Sequence, residues 1–493
     1  MKKVLVTLFA MVLAVCYAFA AKPTDEYVVL APKSLYKSVE WRAVVDVLKA
    51  RHDAKVVLFD KSPHEALRTL KRVSPRYVAI VDYPENIGRD YVIDFHNVSR
   101  DIDGDIYADF MWGIITGYDA AAAMRMVTDS AEPLLIKDAV ATIMELNSAK
   151  WFDNYGWVDD HTKGLWGEKQ GRRAEITTGN VAPEQVLRKF TDLYAKYNPD
   201  LIVTAAHATQ QNLEMPFSLG NLKPRNGALY AEDRFTNEEW RLVETGKRRV
   251  YAAVGNCLIG DVNNTKESMA VAWMNGSHAS TMVGYVVTTW HGRNGWGALK
   301  YWVTNPKRYT LAEAVYINQQ DFLHQHNEWT PALLDERYNY CDGFKQELTT
   351  AASRLSEVVD REIDFDNARD WDMIGFWHDR DVLVYYGDPK WQIMLQSVEN
   401  EEDYTVTSKI CKDRCIVTVT TGANFSLEQM RGDKFKQEHV LDLPFSYIFP
   451  ERLKSPRLAE GQMWDAVVDE NFILIYNADF EPSATYEVVI ETR

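Results

Sequence analysis

The sequence predicts an α/β fold with a smaller β-sandwich at its carboxyl end, and two patterns predict it. Short apolar runs alternate with amphipathic stretches up to about residue 384, and β-branched runs separated by turn residues take over from there. The first pattern builds a mostly parallel sheet covered by helices, and the second folds as a sandwich. At 493 residues, 46% hydrophobic and 26% charged, the chain is too long for one ordinary core and has the composition of a folded protein.

The first α/β unit is expected over residues 21–150. Its strands are Tyr27–Leu30, Lys55–Phe59 and Tyr77–Val81, with amphipathic stretches between them. A second unit is expected over 151–384. There a helix from Gln185 to Lys196 stops at Asn198-Pro199, and the strand Leu201–Ala206 leads to His207. A loop rich in Gly, Pro and Asn follows, then a polar helix near Glu238–Glu244. The strand Val250–Val254 runs into Gly255-Asn256-Cys257, and a helix over Glu267–Met274 precedes a strand over His278–Val287. The sandwich is expected over 385–493, on the runs Cys415–Thr420, Phe472–Tyr476 and Thr485–Thr492.

Residues 1–20 have a different character. Lys2 and Lys3 precede an apolar run from Val4 to Val15 and the small-residue site Ala18-Phe19-Ala20. This is the pattern of a secretory signal, so export to the periplasm, cell surface or medium is expected. The run is shorter than the roughly 20 residues that span a bilayer, and no later segment is long enough, so no transmembrane segment is expected. The formal charge of −16 repels phosphate backbones and argues against a nucleic-acid partner.

Cys16 lies in the signal, leaving Cys257, Cys341, Cys411 and Cys415, too few for a disulfide framework in this length. Cys411 and Cys415 bracket the polar turn Lys412-Asp413-Arg414, where a bridge across the base of a hairpin is geometrically reasonable. Cys257 and Cys341 are unpaired in that scheme.

His207 and Cys257 stand fifty residues apart, each just past the carboxyl end of an expected sheet strand, where open α/β sheets bind ligands. A thiol nucleophile needs an imidazole to take its proton and donors for an oxyanion. Backbone N–H groups at Ala208 and Cys257 are natural oxyanion donors, and Ala205, Ala206 and Gly255 leave room for a substrate backbone. Spacing alone leaves two readings open, since a histidine after an apolar strand and a small buried cysteine are both ordinary structural residues. Asp101, Asp103, Asp105 and Asp109 share a short loop with Gly104, enough oxygens for calcium, or simply a solvated acidic turn. The run Trp290–Trp296 either walls the substrate pocket or packs on the core.

The blocks Val203-Thr204-Ala205-Ala206-His207-Ala208 and Tyr251-Ala252-Ala253-Val254-Gly255-Asn256-Cys257 resemble the paired His and Cys blocks of the gingipain family, peptidase family C25 of the caspase-like clan. Ser268–Met274 with Met282–Tyr285, Asp101–Asp109 before Trp112, and Tyr386-Gly387-Asp388-Pro389 are similar to further family blocks, in the family's order. The resemblance implies a caspase-like catalytic domain of two α/β subdomains followed by an immunoglobulin-like β-sandwich. It implies a secreted cysteine endopeptidase acting on proteins or peptides, with an acyl-thioester on Cys257 and His207 as general base and then acid. An orienting acid is expected upstream of His207, with Asp153, Asp159 and Asp160 as candidates. No cofactor is required for this chemistry, and calcium would be structural. The sequence departs from the family at Ala208, where Gly is usual, and has no Asp or Glu between Gly276 and Trp302, so a preference for Arg or Lys is not carried over. The alternative is a catalytically inactive secreted binding or surface protein that keeps the fold.

Overall fold

A computed structural model describes residues 26–146, 150–341, 343–396, 403–433, 435 and 441–493. The expected signal, residues 1–20, lies outside the described residues. A single 12-stranded sheet organises the α/β part. Its strands in chain order are β1 (Tyr27–Pro32), β2 (Lys55–Phe59), β3 (Tyr77–Val81), β4 (Met111–Ile115), β5 (Asp138–Ala141), β6 (Asn154–Val158), β7 (Leu165–Gln170), β8 (Thr177–Asn180), β9 (Leu201–Thr204), β10 (Arg249–Ala253), β11 (Ala279–Tyr285) and β12 (Leu383–Tyr386). Their order across the sheet is β2-β1-β3-β4-β12-β11-β10-β9-β5-β6-β7-β8.

The two expected α/β units are two halves of this sheet running in opposite directions. Strands β1 to β4 and β12 are mutually parallel, as are β5, β6, β9, β10 and β11, and the halves meet at the antiparallel seam β11–β12. The expected boundaries therefore shift. Strand β5 precedes residue 150 yet belongs to the second half, and β12 spans the 384/385 boundary while completing the first half.

The helices that matter for the site are α1 (Val39–His52), α2 (Val186–Tyr197), α3 (Met269–Asn275), α4 (Arg293–Thr304), α5 (Leu311–Trp329) and α6 (Ala368–Asp379). In α2 the buried face is Val186, Leu187, Phe190, Leu193 and Tyr194, the period of an amphipathic helix, and Asn198 ends it in the left-handed conformation at φ 42°. All four residues of β9 are buried, as a strand covered on both faces by helices requires.

Two local expectations are corrected. The segment after His207 is a five-stranded antiparallel sheet over 208–241, and the expected polar helix is its last strand, Glu239–Arg241. Asn226 and Gly227, at φ 50° and 69°, form the two-residue turn between paired Arg225 and Ala228, the hairpin signal of an Asn-Gly step. Trp240 joins this sheet instead of a helix, and Arg188 of α2 stacks on its ring at 3.5 Å.

Strands 404–410, 414–421, 485–491 and 457–458 face strands 445–448, 472–475 and 466–468 across a separate apolar core, giving the expected β-sandwich. Cys411 and Cys415 are both free, which corrects the expected bridge. The register pairs Cys415 with Ile410 and turns its side chain into the sandwich core, while Cys411 lies in the turn. The sandwich is tied to the α/β part by Arg76 Nη2 to the Phe449 carbonyl (2.6 Å), Tyr309 to Ser446 (2.9 Å) and Tyr476 to Asp321 (2.8 Å). The Gly-Asp-Pro turn after β12 buries Asp388, which accepts from Tyr27 (2.8 Å) and faces His52 Nε2 at the end of α1 (2.8 Å).

Candidate active site

In the second half of the sheet, β9 and β10 are parallel neighbours with Thr204 opposite Ala253, so His207 and Cys257 leave the same edge side by side. Their exits are joined by one buried side chain. Asn256 donates through Nδ2 to the Ala206 carbonyl (2.8 Å), and its Oδ1 accepts from Thr204 Oγ1 (2.6 Å), which in turn accepts from the Tyr251 hydroxyl (2.8 Å). The amide thus bonds the residue before the histidine from the residue before the cysteine. Gly255 is needed here because a Cβ would stand 2.9 Å from that of Ala205 and 3.1 Å from Trp296 Nε1.

His207 is exposed and Cys257 half-buried. The thiol donates to the Thr289 carbonyl (3.3 Å), not to the imidazole. Burial pushes the thiol above its ordinary pKa. Leu258 follows at φ 58°, a left-handed conformation that costs a non-glycine residue about 1 kcal/mol.

Ala208 opens the edge strand of the inserted sheet. It faces Leu213, and the neighbouring Glu214 N–H donates to the His207 carbonyl (2.9 Å). Hydrogen-bonded and non-hydrogen-bonded pairs alternate along an antiparallel ladder, so the Ala208 N–H points off the sheet edge beside His207.

The three expected orienting acids separate. Asp153 precedes β6 at the opposite edge of the sheet and accepts from Gln396, which removes it from the site. Asp159 is turned onto the N–H groups of His161 and Thr162 and serves that turn. Asp160 remains at the edge, accepting from the Met144 N–H (3.2 Å). Beside it stands Glu145, which sequence reasoning passed over. Val203 of β9 pairs with Ala141 of β5, and Glu145 and His207 each lie four residues beyond that pair. The Glu145 side chain is 7% exposed, its Oε2 has no partner among the described residues, and burial first, then Asp160, pushes its carboxyl up to about 7.

A cleft of about 690 Å³ opens beside the cysteine loop, lined by Leu258, Thr288, Asp261, Arg89, Glu347 and Cys341 among others. Of the aromatic run, Trp290 is half-buried, while His291 to Trp296 are buried where α4 begins, so most of it is core.

The acidic loop divides as well. Asp103 and Asp105 converge with Asp469, and Asp103 and Asp109 with Glu470, oxygens lying within 4.8 Å of one another. Asp101 joins neither group. Among the described residues Asp109 Oδ2 is buried without a partner, and Arg452 Nη2 donates to both Asp109 Oδ1 (3.3 Å) and Glu470. Burial and then neighbouring carboxylates push Asp109 up to about 9 and Asp469 to about 8. Arg452 already sets its charge against Asp109 and Glu470, so the Asp103, Asp105 and Asp469 oxygens are the group whose chemistry best fits a hard cation that prefers oxygen ligands.

No protein-family model matches the sequence, and no curated protein sequence does. Among solved structures the chain is similar to the Arg-specific cysteine proteinase gingipain R (RgpB), with a TM-score of 0.43 at 10% identity over 96% of this chain and 92% of that one. It is also similar to the complex of Porphyromonas gingivalis RgpB pro- and mature domains, at 0.38 and 9% over 95% and 93%. A third similar structure, described as a protease, scores 0.37 at 9% over 95% of each chain. Likeness at this level assigns no residue a role. The fold class stands on the sheet order and the separate sandwich core.

Removing the Asn256 amide leaves the buried Thr204 hydroxyl and Ala206 carbonyl without their shared partner. Asn256→Ala is expected to lose about 2 kcal/mol in urea unfolding and to slow iodoacetamide alkylation of Cys257 more than of Cys341. Equal slowing of both thiols would deny the amide its role at this edge.

Proposed function

We propose that the chain is an exported cysteine endopeptidase whose nucleophile is Cys257 and whose general base, then general acid, is His207. The observation that carries this is the pairing of the two strand exits through Asn256, which sets a thiol and an imidazole on one edge with small residues around them. In the proposed reaction the imidazole takes the thiol proton and the thiolate attacks the scissile carbonyl. The oxyanion receives the Ala208 N–H, and His207 returns the proton to the leaving amine. Water, deprotonated by the same imidazole, then hydrolyses the acyl-thioester. Glu145 is the acid best supported for orienting His207, ahead of Asp160, because it lies level with His207 beyond the paired strands β5 and β9 and its buried Oε2 has no partner among the described residues. No cofactor enters these steps. Export rests on the residues 1–20 pattern, and among the described residues no helix is long and apolar enough to cross a membrane.

One observation favours the second reading, an inactive surface or binding protein: the thiol is bonded to Thr289 and raised by burial. Under that reading Cys257 is a packed thiol and the cleft alone holds a partner.

A mixed peptide library incubated with the wild type and with Cys257→Ala separates the two. Cleavage by the wild type, absent in Cys257→Ala and reduced about 100-fold or more in His207→Ala, is the expected result. Intact peptides with the wild type, under reducing conditions and with calcium, would leave only the binding reading.

A structural calcium is proposed at Asp103, Asp105 and Asp469, where it would pin the acidic loop to the sandwich. Calcium at about 100 times its Kd is expected to stabilise the fold by about 2.7 kcal/mol, read as a rise in melting temperature that Asp105→Asn with Asp469→Asn abolishes. A melting temperature indifferent to calcium and chelator removes the ion from the account.

A further inference from the structure

The loop that receives the cysteine thiol is anchored by a buried pair of side chains that the proposed chemistry does not use. Thr289 lies between β11 and α4, two residues before His291. The His291 side chain is 1% exposed, and both ring nitrogens face carboxylates of α6: Nε2 lies 3.2 Å from Asp372 Oδ1 and Nδ1 3.6 Å from Asp379 Oδ2. Asp372, Gly375 and Asp379 lie on one face of that helix, and Gly375 has no room for a Cβ against the imidazole.

Asp379 is fully buried and binds both ends of the loop. Its Oδ2 accepts from the Asn294 N–H in the first turn of α4 (3.4 Å), a helix whose own N-cap is Gly292 with no side-chain cap. A carboxylate there satisfies an orphan donor and suits the positive end of the helix dipole. The same oxygen accepts from the Tyr285 hydroxyl at the end of β11 (3.3 Å), and that hydroxyl accepts from the Gly295 N–H (2.6 Å). One carboxylate thus fixes the strand before the loop and the helix after it.

We propose that His291 and Asp379 are positioning residues that hold the Thr289 backbone against the Cys257 thiol and so set its reactivity. The inference rests on reading Cys257 as the reactive thiol. Other charged or titratable groups facing the pair are His378, whose Nδ1 lies 3.1 Å from Asp379 Oδ1, Glu347 beyond it at 3.6 Å from His378 Nε2, and Arg293, paired with Asp372 at 2.8 Å. Burial opposes the charge on Asp379, but the His291 and His378 imidazoles beside it outweigh burial and hold the carboxyl below its ordinary range. A permanent anion suits a permanent anchor.

The test is the pH dependence of iodoacetamide alkylation at Cys257, read by peptide mass spectrometry with Cys341 as the internal reference. The Thr289 carbonyl accepts from the protonated thiol and so favours it over the thiolate, and loosening Thr289 removes that bond. Asp379→Asn and His291→Gln should therefore move the Cys257 midpoint downwards by about half a pH unit or more, leaving the Cys341 profile unchanged. A merely structural role would lower the melting temperature and leave the midpoint where it is. Should Asp379→Asn not fold, His291→Gln and Asp372→Asn carry the test, and profiles that superimpose on the wild type in both overturn the proposal. The readout needs no substrate, so a protein that cleaves nothing but shows the shift would refute the peptidase reading and keep the anchor.

Discussion

The arrangement of the site depends on one buried amide. Strands β9 and β10 would be neighbours in any parallel sheet with this order, but neighbouring strands do not by themselves aim the chain beyond their ends. Asn256 does so, because its carbonyl and amide are used on opposite sides, one accepting from Thr204 within β9 and one donating to Ala206 just before His207. The Tyr251 hydroxyl completes the chain of donors, so Tyr251, Thr204 and Asn256 satisfy one another where an unmade hydrogen bond costs about 1–3 kcal/mol. Histidine and cysteine are thereby coupled through backbone, not through their own side chains.

That coupling explains how an open thiol–imidazole geometry can still be a prepared one. The thiol rests on Thr289 from a third strand exit, and the loop bearing Thr289 is held from behind by α6. Three consecutive exits of the same half-sheet, after β9, β10 and β11, contribute His207, Cys257 and the Thr289 carbonyl that the thiol meets, and a fourth, after β5, contributes Glu145. The first half of the sheet runs the other way and contributes a wall of the cleft through Arg89 and its neighbours. The edge that bears His207 and Cys257 and this wall of the cleft thus come from opposite halves, joined along the β11–β12 seam.

Much of this was legible in the sequence because it rests on local signals. The strands before His207 and Cys257 are short apolar runs bounded by Asn-Pro or by small residues, and the helix before β9 has an unbroken apolar period. The Asn226-Gly227 hairpin was also written in the chain, yet the surrounding Gly, Pro and Asn read as loop. What could not be read depends on distant pairing. Asp153 looked as good as Asp160 until strand direction put it at the wrong edge, and nothing about an acid after a four-residue strand marks Glu145 as buried. Asp469 and Glu470 meet the acidic loop from more than three hundred residues away. The Cys411 and Cys415 spacing suited a bridge, but the hairpin register sends the two side chains to different environments.

The central claim is that Cys257 is a nucleophile made competent by His207. A peptidyl ketone electrophile, which reacts only with an activated thiol held beside its recognition cleft, tests this most directly when adduct formation is followed at each cysteine by intact-mass and peptide mass spectrometry. The account predicts rapid modification of Cys257 alone, and its loss in His207→Ala while the variant keeps its fold. Modification of Cys341 at the same rate, or of Cys257 at an unchanged rate without the imidazole, would contradict it.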